Sequence, residues 1–371
     1  MKHNLYVTSV LLVIGLLCGC ASTNQPTDST GNSSYTDKIT SDSTNSVINS
    51  NNNAAIPNTS KLKFDDAIIN IPDLTNVKSV EFERCNWTKT ELSNDFINAV
   101  DMFSQRSKNV LNASDLSFDY FDSIEGDRGE KIGRNFYCVR AETSEISAVY
   151  NHYSCFFRVN LNSADLSSIT GKKINYFSEN TDKKLVDKAN NLIQKMVTDY
   201  SPFFNNTDFE YFPFSYEAND GITQIKYGVS YDNIPLDTNY YGSIDHDTLN
   251  VNIGNNFSEI AIDENDNLLS VLSSYNWNVT ENNILSNIIS LEKACEIVDS
   301  NISDNVVFDV SRVDFVYKIP EVLDDDEQIL SWNGVPSWKI TIDATGIGEY
   351  QRLAFFVDAV TGEFSTYEIV M

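Results

Sequence analysis

The sequence predicts an α+β protein of two domains, each an antiparallel sheet with one or two packed helices, behind a polar tether. Three observations carry that expectation. Apolar stripes at helical spacing occur in a few places, the clearest over Lys184–Tyr200. Between them lie many short runs of alternating apolar and polar residues, such as Ile225, Tyr227, Val229 and Tyr231, which is strand periodicity. Tyr and Phe number 18 and 21, and aromatic residues suit pleated, half-buried surface. Roughly 310 residues follow the polar tract, more than one core usually serves. The expected division is a leader over 1–19, a tether over 20–61, and two α+β domains over 62–180 and 181–371.

The leader has Lys2 as a basic head and an almost unbroken apolar run from Leu5 to Leu17. That run falls short of the roughly 20 residues a membrane-crossing helix needs; it has the length of a signal-peptide apolar region. Leu17, Cys18, Gly19 and Cys20 close it, and this ending resembles the bacterial lipobox. The resemblance implies cleavage after Gly19 and lipidation of the Cys20 thiol with a diacylglyceryl group carrying palmitate-type chains. The protein would then sit on the outer face of the cytoplasmic membrane. Two acyl chains hold a protein there stably, where one does so marginally.

Charge agrees with an anchor of that kind. Lys and Arg number 26 against 53 Asp and Glu, a formal net charge of −27. Such a surface repels phosphate backbones, so nucleic acid is not an expected partner. It also repels anionic lipid, which leaves the acyl chains as the attachment. No later stretch reaches 18 continuous apolar residues, so no second membrane pass is expected. Of the 40 residues Ala21–Ser60, 24 are Ser, Thr or Asn. That composition cannot bury enough apolar surface to offset its ordering entropy and predicts a flexible tether, spanning roughly 35 Å on average.

In the first domain, Ile68–Ile71 and Val77–Phe82 read as strands. Thr88 with Glu91 forms a capping-box pattern, opening a helix that carries Leu92, Phe96, Ile97, Val100 and Phe103 on one stripe. Strand-like runs follow at Leu116–Phe121, Asn135–Arg140 and Tyr153–Leu161. In the second, Leu185, Val186, Ala189, Leu192, Ile193, Met196, Val197 and Tyr200 share a helix face, and Pro202 bars its continuation. Strands are expected over Asp208–Tyr216, Thr223–Tyr231, Thr248–Ile253, Ser258–Ile262 and Leu268–Val279. Asp263–Asn267 reads as a hairpin turn. A short helix starts at Ser290 as N-cap and turns Leu291, Ala294, Cys295 and Val298 inward. Val313–Ile319, Trp338–Ile342, Leu353–Asp358 and Glu363–Val370 complete the meander. Gly362 suits a left-handed turn position in the last connection.

Besides Cys18 and Cys20 the chain holds Cys85, Cys138, Cys155 and Cys295. None falls in a Cys-x-x-Cys pair or at zinc spacing. A hairpin of their two runs would let Cys138 and Cys155 face each other as a disulfide. The alternative is that all four act as small buried hydrophobes.

From Ser290 onward the order of elements has a recognisable shape: the helix Leu291–Val298, a strand ending in Tyr317, then Pro336-Ser337-Trp338, then Asp358-Ala359-Val360-Thr361-Gly362-Glu363. It resembles the C-terminal module of the YycH/YycI-like proteins, and more loosely PepSY-type domains, of Gram-positive cell envelopes. Tyr227–Val279 is similar to the meander that precedes that module. The whole chain resembles uncharacterised domain-of-unknown-function lipoproteins of Gram-positive anaerobes. The resemblance implies a non-catalytic binding or regulatory module working through contacts with another protein, with Pro336, Trp338, Asp358 and Gly362 as its structural motif. The YycH/YycI-like proteins restrain a sensor kinase through a transmembrane helix. A lipid replaces that helix here, so the kinase role does not transfer.

Catalysis needs a placed nucleophile, base or metal. Asp245, His246 and Asp247 place a histidine between two carboxylates, without a Gly-x-Ser-x-Gly elbow. His152 lies three residues from Cys155, on the opposite face of an alternating strand. Asp263, Asn265 and Asn267 imitate an EF-hand start, but Leu268 and Ser274 stand where Gly and Glu are required. Asp324–Glu327 is an acidic run. No cofactor or metal is expected from these patterns. The sequence therefore predicts a lipid-anchored, extracytoplasmic binding or regulatory protein with a protein or envelope-polymer partner and no chemistry of its own. The rival expectations are a solute-binding lipoprotein of a transporter and a surface hydrolase using Asp245 and His246.

Overall fold

The computed structural model describes residues 58–85, 87–108, 116–121, 124–125, 131–132, 138–151, 155–164, 166, 175–177, 181–201, 203–204, 208–237, 258–274, 277–304, 306–323, 329–347 and 350–370. The residues expected to form the leader, with Gly19 and Cys20, most of those expected to form the tether, His152, Asp245, His246, Asp247, the strand expected over Thr248–Ile253 and Asp324–Glu327 lie outside them. Within them the chain is mixed α+β, mostly antiparallel, with three helices.

The elements in chain order begin with β1 (Leu62–Lys63), β2 (Ile68–Asn70), β3 (Lys78–Arg84), α1 (Lys89–Arg106) and β4 (Ser117–Phe121). Next come β5 (Ile124–Glu125), β6 (Lys131–Ile132), β7 (Cys138–Glu142), β8 (Ile146–Asn151), β9 (Phe156–Leu161), β10 (Asn175–Tyr176) and α2 (Lys183–Asp199). Then follow β11 (Glu210–Asn219), β12 (Ile222–Tyr231), β13 (Ile234–Asp237), β14 (Ser258–Asp263), β15 (Leu268–Ser273) and β16 (Trp277–Ile284). The last are α3 (Leu291–Asn301), β17 (Phe308–Lys318), β18 (Glu321–Leu323), β19 (Ile329–Ile347), β20 (Tyr350–Asp358) and β21 (Phe364–Val370).

Two compact units result, and each draws on separate stretches of sequence. Among the described residues, unit 1 takes 58–74, Ile288–Asp314 and Trp338–Val370; unit 2 takes those within Thr75–Asn287 and Phe315–Ser337. The expected boundary at 180/181 falls inside unit 2, where Phe157–Asn160 of β9 pair with Ser270–Ser273 of β15.

In unit 1, α3 packs on the β20–β21 hairpin. Ser290 caps the helix by accepting from Lys293 N at 3.2 Å, and Ala294, Cys295 and Val298 turn inward as their spacing predicts. Trp338 is 2% exposed and donates its indole N–H to Ile289 O at 2.9 Å. Parallel pairing of β1 and β2 with β17 completes the sheet. The chain entry is fixed at the end of α3. The Thr59 and Ser60 hydroxyls and Lys61 N all donate to the Asp299 carboxylate. Lys61 Nζ donates to Asp299 O at 2.6 Å and Ile302 O at 2.7 Å, capping carbonyls the helix leaves open.

In unit 2 the sheet runs β4, β7, β8, β9, β15, β14, β12, β11, β10, antiparallel throughout. Across its middle, Ala141, Ala148, Val159, Val271, Ile260 and Ile225 stand opposite one another on one face, all 3% exposed or less. Helix α1 and the chain after α2 cover that face: Phe96 meets Phe157, and Phe203 stacks on Phe157 with centroids 4.4 Å apart. The capping box of α1 is realised, with Glu91 N donating to Thr88 Oγ1 and Thr88 N to Glu91 Oε2. Leu92, Phe96, Val100 and Phe103 are buried, with Ala99 in the place given to Ile97. Arg106 pairs with Asp199, joining the ends of α1 and α2. A smaller antiparallel group, β16, β3, β19 and β18, gathers Phe82, Trp277 and Trp332.

Two strand expectations change. The single run expected over Leu268–Val279 is two strands with different partners: β15 pairs with β14 and β9, and β16 pairs with β3. Between the runs holding Cys138 and Cys155 stands β8, which the sequence reading passed over. Cys138 opposes Asn151, and Asn151 opposes Phe156. Strands two places apart are roughly 9.6 Å from each other, wider than the 4.4–6.8 Å or so that a disulfide spans between Cα atoms. A Cys138–Cys155 bridge therefore has no support in the register. Cys155 is a buried thiol whose pKa burial pushes well up, and Cys295 is buried with its pKa pushed up to about 12. Cys85 is half-buried, its pKa pushed up to about 11 by burial.

Candidate functional site

An antiparallel sheet covered on one face turns its alternate residues the other way. In unit 2 those residues form two polar rows. The first is Arg140, Val149, Arg158, Leu272, Glu259, Lys226 and Ser215, each opposite the next. The second is Glu142, Ser147, Asn160, Ser270, Ala261, Gln224 and Glu217. Beside them Phe212 opposes Gly228, and Glu210 opposes Ser230.

The first row carries Arg140, Arg158, Glu259 and Lys226, and the second carries Glu142 and Glu217. Lys226 Nζ lies 2.6 Å from Glu217 Oε1, and that carboxylate belongs to a residue 5% exposed. Burial pushes the Glu259 carboxyl above its ordinary value, and the charge of Glu217 adds to this; Lys226, a hydrogen bond from Gln224 and Arg158 pull it back. Ser147 and Asn160 meet side chain to side chain at 3.4 Å. Three buried polar atoms here, Ser215 Oγ, Ser270 Oγ and Arg158 Nε, have no hydrogen-bond partner among the described residues. A buried polar group left so costs roughly 1–3 kcal/mol.

Phe212 lies over Gly228, where a Cβ would meet its Cζ at 3.1 Å. The absent side chain lets the ring rest on the sheet, a packing known to shield glycines in strands. The sequence reading missed both residues. Glycine inside an alternating run was the available signal.

The residues singled out from sequence have local structural roles. Pro336 and Trp338 are buried. Asp358 accepts from Val360 N at 2.7 Å and Thr361 N at 3.0 Å, while Gly362, at φ +75°, returns its N–H to Asp358 O. Together they close the β20–β21 turn. Asp263 likewise holds its own hairpin, accepting from Asn265 N and Asn267 N at 2.9 and 2.7 Å. Burial opposes its charge, but hydrogen bonds from Asn267 and Asn265 hold the carboxyl below its ordinary value. An open depression of ≈ 390 Å³ beside that turn is lined by Asp220, Asp263 and Glu264, among others. Among the described residues no group of three or more His, Cys, Asp or Glu is arranged to hold a metal ion. No helix among them is long and apolar enough to cross a membrane.

No protein-family model and no curated protein matches this chain. Among solved structures, an uncharacterized protein from Eubacterium rectale ATCC 33656 is similar at 14% identity and a TM-score of 0.49, covering 84% of this chain and 92% of its own.

Proposed function

We propose that this is a lipid-anchored, extracytoplasmic binding or regulatory protein, with a two-domain folded part carried outside the membrane on a tether. It acts through contacts with a protein or an envelope polymer and performs no chemistry. The observation that carries the reading is the ending Leu17-Cys18-Gly19-Cys20 after an apolar run, followed at once by a Ser/Thr/Asn tract. An apolar run of that length does not span a bilayer, whereas a diacylated cysteine holds a protein to one side of it.

Fractionation of cells producing the wild type and Cys20→Ala tests it. The wild-type protein is expected in the membrane fraction, with a mass at the mature N-terminus equal to diacylglyceryl-cysteine. Cys20→Ala is expected to leave that fraction. An unmodified Cys20, or a wild-type protein found in the cytosol, overturns the proposal.

A further inference from the structure

Chain ends are poorly ordered in most domains unless something ties them down. The start of unit 1 is tied at each residue from Asn58 to Leu62. Three donors converge on one carboxylate: Thr59 Oγ1 and Lys61 N, the latter at 2.8 Å, reach Asp299 Oδ1, and Ser60 Oγ reaches Oδ2 at 2.6 Å. Burial opposes the charge of Asp299, yet hydrogen bonds from Ser60, Thr59 and Lys61 hold its carboxyl below the ordinary value. An ammonium group has three N–H bonds. Lys61 directs its own to Asp299 O, Ile302 O and the Asp304 carboxylate, at 2.6, 2.7 and 2.8 Å. Asn58 Oδ1 accepts from Phe64 N at 2.8 Å, and Thr59 Oγ1 from Leu62 N at 3.0 Å. Hydrogen bonds with an ionised partner are roughly twice as strong as neutral ones.

Strand direction adds to the fastening. β1 runs parallel to β17, with Leu62 beside Phe308 and Lys63 beside Asp309, and β2 follows with Ile68–Asn70 beside Arg312–Asp314. Past Asp314 the same strand β17 continues, and its Tyr317 and Lys318 take β13 as a further parallel partner. Tension entering at Asn58 therefore draws β1 by its N-terminal end, while β17 is held from its C-terminal end. Parallel strands drawn from opposite ends slide along each other, so the evenly spaced bonds between them resist together.

We propose that residues 58–70, the tail of α3 and β17 form a mechanical clamp, which keeps unit 1 folded when the N-terminal segment is stretched between the membrane and a bound envelope partner. The proposal rests on the reading of the protein as lipid-anchored at Cys20 and adds what the fold does with that anchor.

Force spectroscopy on the purified full-length protein tests it, with one handle at the N-terminus and the other at Glu264, which is exposed in the β14–β15 turn. Asp299→Ala is expected to speed unfolding of unit 1 at equal force by about tenfold or more, since three donors lose one ionised acceptor. Lys61→Met keeps the buried stem, removes the ammonium and is expected to act in the same direction; it keeps the test decisive if Asp299→Ala does not fold. With the first handle moved to Val360, exposed in the β20–β21 turn of the same unit, tension bypasses the junction. Both substitutions are then expected to have a smaller effect. An unchanged unfolding rate in the N-terminal geometry overturns the proposal. So does an equal change in both geometries, the mark of a fastening that serves folding alone. The handles stand in place of the lipid, so a failure here is distinct from a failure of Cys20 lipidation in the fractionation experiment.

Discussion

The two faces of the unit 2 sheet share every backbone hydrogen bond and differ only in which alternate residues they display. On one, Ile225, Ile260, Val271 and Val159 are shut under aromatic rings and 0% exposed. On the other, Lys226, Glu259, Leu272 and Arg158 stand at the adjacent positions of the same strands. The difference teaches which face holds the sheet together and which one taxes it. Apolar burial supplies most of the driving force, so the covered face holds the sheet together. The other face buries polar groups too, among them Glu217 at 5% and Ser270 at 1% exposed, and these cost free energy unless they are paired.

Substitutions on adjacent residues can break that contrast or sharpen it. Ile260→Ala, on the covered face, is expected to cost about 2–5 kcal/mol by transfer and cavity terms, read as a lower denaturation midpoint. Lys226→Ala, on the other face, should cost a comparable amount, about 3–5 kcal/mol, because it strands the buried Glu217 carboxylate. A loss below about 1 kcal/mol would show that water reaches and solvates that carboxylate.

Glu259→Gln should act in the opposite direction. A carboxyl whose folded pKa is raised binds its proton more tightly in the fold, so stability falls as pH rises from the unfolded value of about 4.3 through the folded one. The variant is expected to melt above wild type at pH 7, and the gap should close near pH 4. A gap that persists at pH 4 would show that ionisation is not its cause. Smallest of all, Ser147→Ala should move stability by no more than about 0.5 kcal/mol, since its contact with Asn160 is long at 3.4 Å.

Elements set by near neighbours in the chain were legible from sequence. Thr88 with Glu91, Ser290, and the Asp358–Gly362 turn each satisfy their own backbone within a few residues, and the structure has all three. Strand partnership was not legible. Nothing near Val159 or Val271 indicates that they pair across more than a hundred residues. Strand β8 escaped because Val149 sits on its polar side and blurs the alternation of Ile146, Ala148 and Tyr150. The polar face was illegible for the same reason, since its rows exist only once seven strands are placed in register. At Gly228 the clue was local, yet its meaning depended on the strand that brings Phe212 alongside.

The fastening of Thr59, Ser60 and Lys61 onto the tail of α3 has a mechanical side. Any pull on residues ahead of Asn58 reaches unit 1 first at these donors. Behind them, β1 and β2 lie parallel to β17, so load drawn along those strands must shear several bonds at once instead of peeling them singly. The point where residue 58 joins the fold is thus braced by side chains before any strand bears load.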